Sequence, residues 1–146
     1  MVTSEVARKN IAEYCRRGGF LLIDACNNIP VNGMNHDEFL KRQQSFLAEI
    51  LPEAQLVSLP ATHPIYHCFF PIPNGHPPHT FYGNAYDAHK ESLGLYGIRV
   101  GSRMAGLISL SGLQCGWDGV PAPAGRALEC MRMLVNIYTY AMLQGG

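Results

Sequence analysis

Apolar residues recur along this chain in two rhythms, one helical and one unbroken, and their alternation predicts its elements. Ala7, Ile11 and Tyr14 fall on one face at helical spacing. Thr3 or Ser4 supplies a cap, Glu5 suits the positive end, and Arg16 with Arg17 suits the negative end. A helix is therefore predicted to about residue 15, stopped by Gly18 or Gly19 in a left-handed cap. Residues 20–23 read Phe-Leu-Leu-Ile without polar alternation. That is the pattern of an interior strand covered by helices on both faces of a parallel sheet. After a loop over 27–35, Asp37 opens a second helix to about residue 50. It turns Phe39, Leu40, Phe46, Leu47 and Ile50 inward, and Pro52 ends it.

Residues 55–59 form the next short strand, closed by Pro60. From there to about residue 86 the chain is rich in proline, histidine and aromatics, an excursion from the sheet ordered by proline stiffness. Residues 95–100 and 104–110 read as two strands joined at Gly101-Ser102-Arg103. A loop over 111–125 carries Trp117. A last helix over about 124–143 is expected to bury Leu128, Met131, Leu134, Val135, Tyr138 and Met142. The order of elements implies a single α/β domain over 1–146 whose sheet has a bare edge to be blunted or paired.

With 146 residues, 47% hydrophobic and 15% charged, the chain can build one core beneath a sparsely charged surface. Formal net charge is zero with the histidines neutral, and there is no basic stripe, which argues against nucleic acid as a partner. A neutral, sparsely charged surface favours self-association. No run of eighteen apolar residues is present, so no membrane span is read. Cys15, Cys26, Cys68, Cys115 and Cys130 are scattered without a C-x-x-C pair, which suits reduced thiols and leans cytoplasmic.

Several motifs then occur in order: R-G-G-F-L-L at 17–22, L-P-x-x-H-P-I-Y at 59–66, G-L-I-S-L at 106–110, C-G-W-D-G at 115–119 and L-V-N-I-Y-T-Y-A at 134–141. Together they resemble the bacterial glutamine amidotransferase-like domain of unknown function, over residues 4 to 143. The resemblance implies a flavodoxin-like, three-layer α/β sandwich with a mostly parallel sheet. Against that family's pattern the chain looks shortened at its N-terminus, which favours a homo-oligomer that supplies the missing edge. Relatives in that family are often exported or membrane-associated, so the compartment is left open.

The candidate chemistry gathers where ligands gather in open α/β sheets, beyond the carboxyl ends of the strands. Cys26 stands just past the first strand and would act as a nucleophile, with His63 or His67 as base. Asp24 beside it would raise the thiol pKa. The resembled amidotransferases place their nucleophile in a G-x-C-x-G elbow and rely on an H-x-E pair. Here the pentapeptide is Asp24-Ala25-Cys26-Asn27-Asn28, without either glycine, and no such pair stands near the C-terminus. The leading expectation is thus a non-catalytic binding or assembly module. A cysteine-dependent amidase using Cys26 is the alternative.

A small-molecule or protein ligand would meet Asp24, Asn27, Asn28, Trp117 and Asp118, from two loops that both follow strand ends. A second alternative is a metal site of imidazoles from His63, His67, His76 and His79, although no carboxylate with ligand spacing accompanies them. Nothing resembles a phosphate-cradling loop or dinucleotide fingerprint, so no cofactor is expected.

Overall fold

The computed structural model describes residues 4–24, 36–78, 94–117 and 125–144, apart from the side chains of His36, Cys115, Trp117 and Arg126. The elements in order are α1 (Glu5–Arg16), β1 (Leu21–Asp24), α2 (His36–Ile50), β2 (Ala54–Ser58), a 3-10 turn (Pro64–Tyr66), β3 (Leu95–Val100), β4 (Arg103–Ser109), α3 (Leu113–Trp117) and α4 (Arg126–Leu143). Ser4 caps α1 by accepting the Ala7 N–H at 3.2 Å, as its hydroxyl allows. Gly18 follows with φ +98°, the left-handed geometry expected there.

Among the described residues the strands form one sheet in the order β1-β4-β3-β2. β1 runs parallel to β4, whereas β4–β3 and β3–β2 are antiparallel. The expected mostly parallel sheet is therefore corrected to a mixed and mostly antiparallel one. The reason is local: β3 returns as β4 through the turn at Gly101, where φ is +60°, and a two-residue return can only join antiparallel neighbours. Residues 20–23 were expected inside the sheet, yet among the described residues β1 stands at its edge, with each of its four residues partly exposed.

β1 nevertheless feeds a cluster on each face, which is why its sequence shows no alternation. Leu21 and Ile23 pack with Ala12, Cys15, Leu47, Ile50 and Leu51 of the α1 and α2 side. Phe20 and Leu22 pack with Ile65, Tyr66, Leu107, Leu113, Met133 and Ile137 on the other. The pairing of β3 with β4 skips from Ile98–Gly106 to Arg99–Met104, so Ala105 is the extra residue of a bulge. A Cβ on Gly106 would collide with the Leu21 carbonyl oxygen, which makes glycine the residue that lets β1 approach.

Two expectations shift further. Residues 113–117 were expected in a loop and instead form α3. In α4 the buried face is Cys130, Met133, Asn136 and Ile137, while Leu128, Met131, Tyr138 and Met142, expected in the core, are 47–69% exposed. No helix among the described residues is long and apolar enough to cross a membrane.

Candidate functional site

At the carboxyl end of the parallel pair, Asp24 stands in register with Ser109. Its carboxylate accepts the N–H of Leu113 at 3.0 Å and of Gln114 at 2.8 Å. These are orphan donors at the start of α3, and a negative charge there suits the helix dipole. Asp24 therefore serves as a cap for a helix 89 residues downstream. Cys26, Asn27, Asn28, His79 and Asp118 lie outside the described residues, and Trp117 closes α3 with its side chain outside them as well.

His63 and His67 flank the 3-10 turn. The His63 Nδ1 accepts the Ile65 N–H at 3.3 Å, so the ring caps the turn while Pro64 fills its first position. That ring also packs 5.4 Å from the Tyr140 ring, and burial pulls its pKa below the ordinary value. His67, exposed, places Nε2 at 3.1 Å from the Ala61 carbonyl. Each imidazole thus engages the backbone of its own excursion. Among the described residues no three histidine, cysteine, aspartate or glutamate side chains stand together to hold a metal.

Two polar networks escaped the sequence reading. In the first, His76 is 4% exposed and its Nε2 lies 3.0 Å from the Ser109 hydroxyl. Ser109 also accepts the Ser111 N–H at 3.3 Å, and the Ser111 hydroxyl donates to the Pro77 carbonyl. Burial holds His76 neutral, with a pKa pushed down to about 3. Ser109 is fully buried, and the pair joins β4 to the proline-rich excursion.

In the second, buried Asn136 of α4 receives the Phe70 N–H on Oδ1 and returns Nδ2–H to the Phe70 carbonyl. The Cys68 thiol donates to the Asn136 carbonyl at 3.3 Å. Burial pushes the Cys68 and Cys15 thiols up, the opposite of what an attacking thiolate needs. A polar residue framed by Leu134, Val135 and Ile137 was the one sequence signal for this clamp.

A larger concavity than the space beside His76 lies along β1. A groove of about 1140 Å³ runs along all four residues of β1, between α1 and α2. Ile11, Leu21, Leu22, Ile23 and Phe46 give it an apolar floor. Its rim is charged: Arg8 pairs with Glu49 across the two helices, and Arg42 pairs with Glu38 at 2.8 Å within α2. A strand at a sheet edge presents a row of backbone donors and acceptors, and the side of β1 that has no strand neighbour among the described residues borders the groove. The arrangement offers hydrogen bonds to an extended chain and apolar contact to its side chains.

No curated protein matches the chain. A family model matches residues 1–142, nearly the whole length, and by that match the chain belongs to the domain of unknown function DUF4159.

Proposed function

We propose that this domain is a non-catalytic binding and assembly module that self-associates through β1. The carrying observation is the strand's position: β1 has one sheet neighbour among the described residues, and its other side borders an apolar groove along its whole length. A strand from a second copy, laid along β1, would satisfy the free backbone groups and cover the partly exposed Leu21, Leu22 and Ile23. The charge-poor, net-neutral composition supports close approach of two copies. The missing elbow glycines around Cys26 and the internal engagement of His63 and His67 support the non-catalytic half. Kinship with glutamine amidotransferase-like domains, and a flavodoxin-like ancestry for the sheet, belong to the same proposal and rest on the ordered motifs.

Mass in solution tests it. At micromolar concentration light scattering should report a dimer, and the β1 amides should exchange slowly. Ile11→Glu places a charge on the groove floor and should return the protein to a folded monomer. A native chain that stays monomeric to hundreds of micromolar would overturn the reading.

A further inference from the structure

We propose that the cavity behind the proline-rich segment binds a small monocarboxylate with an apolar body. This cavity, about 440 Å³, falls within the size range of small-molecule sites. Ile72, Pro73 and Pro77 give it apolar walls, and Glu129 with Arg132 of α4 stand at its border. His76 also lines it, and among the described residues the buried Nδ1 of that ring finds no hydrogen-bond partner. A buried polar atom left without a partner is costly and rare.

Counting protons decides which chemistry would satisfy it. Ser109 already accepts the Ser111 N–H, and its hydroxyl faces Nε2 of His76. If Nε2 carried the ring proton, both the Ser109 hydroxyl proton and the Nδ1 lone pair would lack partners. If the Ser109 hydroxyl donates to Nε2 instead, the ring proton sits on Nδ1 and a single donor is left over. The second arrangement has one orphan instead of two, so Nδ1 is a donor seeking an acceptor.

A carboxylate oxygen meets that need, and the Arg132 guanidinium compensates its charge. Arg132 is held over the Phe70 ring, 5.7 Å from its centroid. Glu129, one turn away on α4, disfavours a second negative charge on the ligand. Nδ1 has no free surface of its own, so contact requires the His76 ring or a neighbouring lining segment to shift. The cavity shares no lining residue with the β1 groove, so this site and the assembly reading fail or stand separately.

The test uses nitrogen-edited NMR of the histidine rings, with benzoate as probe and benzylamine as control. The His76 ring should show its proton on Nδ1 before any probe is added. Benzoate should shift the His76 signals saturably, and benzylamine should not. Arg132→Gln, at an exposed position that spares the buried network, should weaken benzoate binding roughly threefold to tenfold. A proton found on Nε2 would overturn the proposal. So would the absence of saturation, exchange with water only, or equal benzoate affinity in Arg132→Gln.

Discussion

Asn136 and Phe70, 66 residues apart, hold each other through both polar atoms of the asparagine amide, at 2.7 and 2.8 Å. The side chain imitates a strand neighbour and gives the Phe70 backbone the partners that a sheet would otherwise supply. This contact fastens the proline-rich excursion to the inner face of α4. Asn136→Leu should leave the Phe70 N–H and carbonyl without partners and cost about 2–4 kcal/mol in urea unfolding. Asn136→Asp keeps an acceptor for the N–H and should cost less.

Gly106→Ala should destabilise by about 1–3 kcal/mol, the usual range for overpacking. The added methyl would meet the Leu21 carbonyl, so the loss should appear first as faster amide exchange in β1. An Ala105→Gly change at the neighbouring bulge residue should leave the β1 amides protected.

Asp24→Ala should cost about 1 kcal/mol, the typical worth of a helix cap. Faster exchange at Leu113 and Gln114, with the β4 amides unchanged, would identify the lost cap as the cause.

Stability should depend on acidity through His76. Its folded pKa of about 3 lies below the ordinary 6.5, so the unfolded chain binds an extra proton between those values. The stabilisation is complete above about pH 6.5 and is lost as pH falls toward 3. Its slope approaches about 1.4 kcal/mol per pH unit. His63, also lowered by burial, adds in the same direction. Urea midpoints of His76→Gln should show a shallower acid slope than the native protein.

Tyr138→Lys should leave both stability and solution mass unchanged, because Tyr138 stands 69% exposed on the face of α4 away from the β1 groove lining. Loss of the dimer in this variant would move the assembly surface to α4.

Helix periodicity and turn residues announced every long element to within a few positions. The phase of α4 did not follow from periodicity, because the helix carries two apolar stripes. Leu128, Met131, Val135, Tyr138 and Met142 form one, and Cys130, Met133 and Ile137 form the other. Asn136 lies with the second, so the stripe that is buried is the one that carries a polar residue. The buried stripe is decided by the contact with Phe70, which no local pattern reveals. The edge position of β1 among the described strands was equally hidden. Its run of apolar residues reports burial on two faces and carries no information about lateral neighbours. His76 drew attention as an imidazole, but its pairing with Ser109 depends on a fold-wide approach between segments 33 residues apart.

The cap on α3 has a consequence for how the chain matures. Five residues are too few to nucleate a helix unaided, since the first turn costs more than it returns. The turn at Leu113 draws on two distant supports, the Asp24 carboxylate at the tip of β1 and the buried face of α4, where Leu113 packs with Cys130, Met133 and Ile137. Ordering of β1 thus bears on a segment far downstream, and a chain whose β1 is unpaired should hold α3 less firmly even though the sequence of α3 is intact.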